Sequence, residues 1–574
     1  MAHLHKKMKK GRPYYYIREM ARVEGKPKVV RQIYLGSVER ILKMVTQGST
    51  GCVKIKAEQF GALWLADQID RKIDFAGLVD SIVPQGEKQT GPSVGEYFLY
   101  AVFNRMIDAR SKRALKEWYN DTAIRQIRPV NVDALTSQRF WERWEQVSKA
   151  HIEQIANRFL KKLNELEPSE SDCFLFDTTN YYTFMAGQTE SELAKTGKNK
   201  EGRNWLRQIG VALLVSRDKQ LPMFYREYEG NRHDAALCER LLGEIFDVLR
   251  DSGAGATPLT LVFDKGMNSK DNIAFIDAKE QLHFITSYST YFAEHLIHQD
   301  MAHFKAVDTA KNIELKKLGR HDDLLLARRT TEVFWGKERT VIVTYNPLTA
   351  SKQRYAFEKK LSAVQAALYE MRSKLRAQAP QWKQPGQVKK RYEDLCKKLH
   401  FPDDLYDLDF EKLPKGWAMG FRKNPYRIRR HIDRFGKNIL VTDLMEWSTL
   451  DIVQAALDRY VIEKMFRQSK DDDLVSVLPV RHWTDSKIRC HILTCVVALA
   501  YLRLIEIHLK RSGMPLTATC AMDYMHKLHS CLCWHAKNRK PMRIIENPSK
   551  IQADILKAFG YQVIDGGVLQ KKSS

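Results

Sequence analysis

The sequence predicts a multidomain α/β protein whose core is interrupted by an insertion domain and preceded by a β-hairpin region and a helical region. Three observations lead there. The 574 residues exceed what one hydrophobic core holds, so three to five domains are expected. At Ser171 the helical spacing of apolar residues gives way to short apolar strands alternating with amphipathic helices. From about 300 to 440 that alternation is broken by long, strongly charged helical stretches, after which strand and helix resume.

Residues 1–50 open with a basic tip (Lys6, Lys7, Lys9, Lys10, Arg12), followed by YYYIREMARV and KPKVVRQIYLG around the turn signal Glu24-Gly25-Lys26. That pattern predicts a β-hairpin. It reads equally as a DNA-contacting ribbon or as a small stabilising appendage. Residues 51–170 carry apolar residues at three-four spacing in AEQFGALWLADQID, SVGEYFLYAVFNRMIDA and SQRFWERWEQVSKAHIEQIANRFLKKL, which predicts helices. A basic helical module in this position suits a DNA-binding domain, although helix content alone does not establish a helix-turn-helix.

Residues 171–300 form the first part of the core. CFLFDTTN, IGVALLVSRD and LPMFYREYEG read as three strands, and RHDAALCERLLGEIFDVLRDSG as a helix closed by glycine. PLTLVFDKGM is a buried strand, SKDNIAFIDAKE a Ser-capped helix and LHFITSYS a further strand. Three strands, helix, strand, helix, strand is the order of a ribonuclease-H-like fold. Residues 301–438 are the expected insertion domain, with β-like EVFWGKERTVIVTYN and the charged helices YAFEKKLSAVQAALYEMRSKLRAQA and GQVKKRYEDLCKKL. Their Lys-rich faces suit a solvated surface or phosphate contact. Residues 439–510 resume the core with NILVTD and a helix from about Leu450. Residues 511–574 are a helical or mixed tail containing the capped helix NPSKIQADILKAFGY.

The charge balance narrows the function. There are 94 Lys and Arg against 69 Asp and Glu, a net charge of +25, which favours a polyanionic partner. A membrane surface is the rival polyanion, but the longest apolar run, Cys490–Leu502, has 13 residues and includes His491. That falls short of the ~18 a spanning helix needs and predicts a buried core helix. The opening residues lack the apolar stretch of a signal peptide. Nine scattered cysteines suit free thiols in a reducing cytoplasm.

Two strands end in an acid, Asp177 in FLFDTTN and Asp264 in LVFDKGM. Carboxyl ends of neighbouring strands in an α/β sheet face one crevice, so the two acids can converge. Close carboxylates repel unless a cation joins them, and hard oxygen ligands suit Mg²⁺ or Mn²⁺. Two such ions ~3.5–4 Å apart activate an attacking oxygen and stabilise the leaving oxygen of a phosphodiester. In RYVIEKMFRQSK, Glu463 lies four residues after Arg459 and seven before Lys470. On a helix all three share a face, with Phe466 and Arg467 one turn on. The arrangement reads as a metal-binding carboxylate between two phosphate-gripping cations. Taken alone, the stretch reads better as an ordinary i,i+4 ion pair worth about 0.3–0.5 kcal/mol.

Asp177 with DTTN, Asp264 with FDKGM, and R-x3-E-x6-K at Arg459, Glu463 and Lys470 together resemble a DDE transposase. The likeness is to the insertion-sequence IS-four superfamily and its IS-sixteen-thirty-four-like branch, whose signature is Y-x2-R-x3-E-x6-K. Ala456 stands where that tyrosine belongs, leaving its role to Tyr460 or to no residue. TGKNKEGRNWLRQIGVALLVSRDKQLPMFYREYEGNRHD resembles a further family block, closing at Gly230, Asn231 and Asp234. FRQSKDDDL and HWTDSKIRCHI also fit, so the resemblance covers most of residues 10–510.

The resemblance implies roles. Asp177, Asp264 and Glu463 would be catalytic and hold two Mg²⁺ ions, replaceable by Mn²⁺, while Arg459, Lys470 and Arg467 would contact DNA. Trp335 in the insertion would stack on a flipped base or else serve the core, and Asn231 and Asp234 would support the site from behind. The partners implied are the terminal inverted repeats, target DNA and a second copy of the chain in a synaptic homodimer. The compartment implied is the bacterial cytoplasm. A nuclease of the same fold and a catalytically silent DNA-binding regulator are the alternatives. HKLHSCLCWH is rich in metal-binding side chains, but one residue separates its cysteines where zinc sites use two to four. No G-x4-G-K-[ST] phosphate loop appears, so ATP is not implied.

Overall fold

The computed structural model describes the chain apart from residues 1, 10–11, 24–25, 47–51, 85, 87–89, 198–201, 233, 252–257, 472–473, 479, 536–539 and 573–574. At its centre is a ten-stranded mixed sheet. Its five core strands, in chain order, are Cys173–Thr183, Arg207–Ser216, Pro222–Glu229, Leu259–Phe263 and Leu282–Tyr288. They stand in the sheet in the order 3-2-1-4-5. The first three pair antiparallel, and the fourth and fifth run parallel to the first. This mixed order is consistent with the expected ribonuclease-H-like core.

Side-chain alternation assigns the two faces of the sheet. Phe174, Phe176, Leu261, Phe263 and Phe284 enter one apolar cluster, on the side of the helices Asp234–Asp251 and Lys270–Asp277. Leu175, Val262 and Ile285 enter the other cluster, with helices from within residues 61–166 and 449–558. Asp177 lies two residues after Leu175 and Asp264 two after Val262, so both acids belong to this second face.

The expected insertion at 301–438 divides in two. Its strands Leu326–Phe334 and Lys337–Tyr345 do not leave the core. They continue the same sheet through Lys437–Thr442, which pairs antiparallel with both Lys337–Tyr345 and Leu282–Tyr288. Backbone pairing overrides the boundary because an apolar strand such as VIVTY buries its groups best in an existing sheet. The true excursion is the helices Pro347–Arg376 and Pro385–Leu399 with the hairpin Tyr406–Leu413 and Gly416–Lys423. It has its own core, including Phe357, Leu368, Tyr392 and Met419.

The helical region is not separate either. Val94–Ile107 packs on the 27-residue helix Asp485–Arg511, and both enter one cluster with the tail residues Met525, Ile555 and Leu556. Each fully buried Leu, Ile or Val there contributes about 1.5–3 kcal/mol. The long helix contains the predicted core segment Cys490–Leu502. It has the length and apolarity of a membrane span, yet 83% of its apolar window is buried inside the protein. The tail strand His529–His535 pairs with Cys52–Gln59 from the start of the helical region, so tail and helical region share a sheet. The tail helix Lys550–Ala558 carries the expected cap, a capping box between Ser549 and Gln552. Residues 1–50 exceed the expected hairpin. The basic tip is itself a strand, Ala2–Lys9, beside Arg12–Val23 and Lys26–Ser37, and the helix Val38–Thr46 follows. The predicted turn at Glu24-Gly25 lies outside the described residues.

Candidate active site

Asp177 is not at the end of its strand as expected. The strand runs on to Thr183, paired with Arg207–Ser216 throughout, while pairing to Leu259–Phe263 stops at Leu175. Asp177 thus stands where its parallel neighbour turns away. The register matches Leu175 with Val262, and two further residues bring Asp177 level with Asp264. Asp177 is 7% exposed, and its Oδ1 accepts the Thr178 N–H at 2.9 Å. Asp264 follows its strand directly and leads into the turn Lys265–Met267. Its Oδ1 accepts the Ser287 hydroxyl at 2.9 Å.

The segment RYVIEKMFRQSK does not form the single helix expected from its spacing. A helix Thr449–Asp458 ends and another, Tyr460–Ser469, begins with Arg459 at the joint and Lys470 as the final cap. Arg217 fixes the end of the first helix through Asp458 at 2.6 Å. In the second helix Val461, Ile462, Met465, Phe466 and Ser469 are buried, so Phe466 faces the core and Glu463 and Arg467 face solvent. Ser469 donates to the Phe466 carbonyl at 2.7 Å and meets the Tyr181 hydroxyl at 2.7 Å. That contact docks the helix on the strand of Asp177, and the Lys470 ammonium lies 5.7 Å from the Tyr181 ring centre.

Arg459 brings the acids together. Its Nη1 is 2.9 Å from Asp264 Oδ1 and its Nη2 3.2 Å from Glu463 Oε1. Partial burial disfavours the guanidinium charge, but Asp264 first, then Asp177 and Glu463, hold it more firmly protonated than usual. Burial also pushes the Asp264 carboxyl up. Arg459, the Lys265 amide and Ser287 outweigh that and hold it below the ordinary carboxylate range. The site therefore has two carboxylates bonded to one guanidinium, with Asp177 acting on the same charge from further off.

Among the described residues no three Asp, Glu, His or Cys side chains already stand close enough to hold an ion. The donor set nonetheless fits one. It offers only carboxylates, the ligands of hard divalent cations, and their charges already converge on a single cationic group.

The remaining predicted residues fall elsewhere. Trp335 occupies the two-residue turn between Leu326–Phe334 and Lys337–Tyr345 at φ 52°, followed by Gly336 at φ 81°. Its ring packs on Phe284 and Tyr288 edge-to-face at 5.9 and 5.8 Å and on Phe334 at 5.6 Å. Asn231 is exposed, and the side chain of Asp234 lies outside the described residues. Gly230 before them is required, because a Cβ there would sit 1.8 Å from the Gln208 carbonyl oxygen. Sequence reasoning missed Ser287, Tyr181 and Ser469. The available signal was a serine near the end of the strand FITSYS, which follows the Asp264 strand and helix in the chain.

Comparison with known proteins adds four findings. Residues 174–502, more than half of the chain, match the family described as the transposase DDE domain. A piggyBac transposase synaptic complex with hairpin DNA aligns at 9% identity and a TM-score of 0.37, covering 82% of each chain. A Mos1 transposase paired-end complex with the left transposon end aligns at 11% identity and a TM-score of 0.15, over 41% of this chain and 72% of that one. No curated protein sequence matches.

Proposed function

Because this chain belongs to the transposase DDE-domain family and is thus an enzyme of DNA cleavage and strand transfer, we propose that Asp177, Asp264 and Glu463 are its catalytic carboxylates. The observation carrying this reading is the shared guanidinium: Asp264 and Glu463 both bond Arg459, and Asp177 acts on the same charge. The ordered motifs favour the IS-four superfamily and its IS-sixteen-thirty-four-like branch. On that reading the substrates are the terminal inverted repeats of an insertion sequence and target DNA, two copies pair the two ends, and the compartment is the bacterial cytoplasm.

Asp177, Asp264 and Glu463 would hold two Mg²⁺ ions, or Mn²⁺ in their place. Bound there, such ions supply activation of the attacking water or 3′-hydroxyl and stabilisation of the leaving oxygen. The rest falls to the chain. Arg459 keeps Asp264 ionised, as a metal-binding carboxylate must be. Arg467 is exposed and Lys470 half-buried on the same helix, where their cations can take backbone phosphates. Ser287 fixes the Asp264 carboxylate, and Tyr181 with Ser469 fixes the helix bearing Glu463.

The test is incubation of the full chain with labelled duplexes of its own element ends, a target plasmid and Mg²⁺. Products cut at the ends and joined to the plasmid through the 3′-hydroxyl are expected. Products cut but never joined would replace this reading with a nuclease. Binding without any cut would leave a regulator.

A further inference from the structure

A second site lies at the far end of the strand that carries Asp177. Thr183 closes that strand by donating to the Val480 carbonyl at 2.7 Å. Beyond Val480 a recess of about 780 Å³ opens between the helical region and the start of the long helix. Arg105, Arg110, Lys112, Arg113, Arg481 and Lys487 line it, and no carboxylate does among the described residues. Arg110 and Lys487 have acidic partners outside it, Asp108 and Glu145.

Lys112 is the informative residue. It is 5% exposed, and its ammonium is held on one side by the rings of Trp144 and Phe140, 4.8 and 5.5 Å from their centres. No hydrogen bond or ion pair to a described residue completes it. Two buried neighbours in the recess are also incomplete. Arg105 is 6% exposed and His491 4%, and among the described residues Arg105 Nε and His491 Nδ1 lack partners. Arg105 uses its other nitrogens on the Ser476 and Arg110 carbonyls, and His491 uses Nε2 on the Val477 carbonyl at 3.2 Å. The arrangement is held by a strained backbone: Val475 and Ser476 adopt φ of 64° and 45°, unfavourable for a β-branched residue. Burial, followed by Arg105, drives the Lys112 ammonium well below its usual range.

An internal lysine without a counter-ion, beside a buried arginine, is costly to a folded chain unless an anion restores the balance. At the mouth stand the exposed rings of Trp141 and Trp483, each able to stack on a nucleobase. We propose that this recess holds one nucleotide of a DNA strand, its phosphate between Lys112 and Arg105 and its base against Trp141 or Trp483. The proposal rests on the transposase reading for its choice of DNA and extends it to a contact outside the carboxylate site. The separation from Asp177 is about 20 Å along the connecting strand, at ~3.3 Å per residue.

The test uses the full chain and a short oligothymidylate, read by fluorescence anisotropy and by quenching of tryptophan emission. Trp483→Ala and Arg481→Ala change exposed side chains and leave the core untouched; Lys112→Met changes the recess itself. Each substitution is expected to weaken binding about tenfold, and Trp483→Ala also to reduce the quenching. Lys112→Met is expected to flatten the slope of log affinity against log salt by about 0.7. Unchanged affinity and quenching in the two rim variants would overturn the proposal, even if Lys112→Met failed to fold. So would displacement of the oligonucleotide by inorganic phosphate at equal phosphate concentration, which would make the recess a free-anion site. The joining assay fails separately: a chain that cuts and joins, yet whose rim variants bind normally, loses only this proposal.

Discussion

Arg459 spans Asp264 and Glu463, with 2.9 Å from one guanidinium nitrogen to the first and 3.2 Å from the other to the second. The two acids come from a strand end and from a helix, almost two hundred residues apart in the chain. A planar fork bridges them with two separate nitrogens, whereas an ammonium would have to reach both from a single one. This relationship governs the first two predictions.

Arg459→Lys is expected to lower stability without divalent ions by about 1 kcal/mol, a modest figure because the acids are partly solvated. With the acids less well neutralised, Mg²⁺ is expected to raise the thermal midpoint more in the variant than in the parent. Differential scanning fluorimetry with and without Mg²⁺ reads both effects. An identical Mg²⁺ response in the two proteins would count against the shared site.

Acid is expected to separate the parent from Asp264→Asn. The folded carboxyl lies below its ordinary value of 3.8, so its contribution to stability is fully present above that value. It is lost as pH falls through the lower, folded value. Urea unfolding across a pH series should therefore show a constant difference at neutral and mildly acid pH that shrinks below about pH 4. A difference that widened on acidification would contradict a carboxyl held below its ordinary range.

Much of the core was legible because its signals are local. The strands LTLVF and FITSY are apolar runs bounded by turn residues, and their order along the chain carries the sheet topology. What escaped was decided by pairing at long range. Nothing in VIVTY states that it will join NILVT in the central sheet rather than an inserted domain. Asp177 was legible as a site residue, but its mid-strand position was not, since the strand continues through the polar TTN by pairing with Ile209–Leu213. The Arg459–Glu463 pair followed from i,i+4 spacing, whereas the helix break at Arg459 and the docking of Ser469 on Tyr181 are tertiary.

Arg489 and Glu227 form a buried ion pair at 2.6 Å, with side chains 8% and 2% exposed, that ties the long helix to the third core strand. Arg489→Met is expected to cost about 3–5 kcal/mol by leaving the carboxylate unpaired. Adding Glu227→Met should recover most of that loss. Urea denaturation checks it, and additive losses in the double variant would show that the pair is not coupled.

Trp335→Ala is expected to cost about 2 kcal/mol through lost contact with Phe284, Tyr288 and Phe334. DNA affinity at matched folded fraction should be unchanged. A variant of normal stability that bound DNA poorly would return this tryptophan to base stacking.

The most direct test of the central claim is cleavage of the chain's own element ends in Mg²⁺ by the single variants Asp177→Asn, Asp264→Asn and Glu463→Gln, with DNA binding measured alongside. The account predicts that all three bind the ends and none cuts them. Undiminished cleavage by any one would remove that residue from the site and break the carboxylate triad.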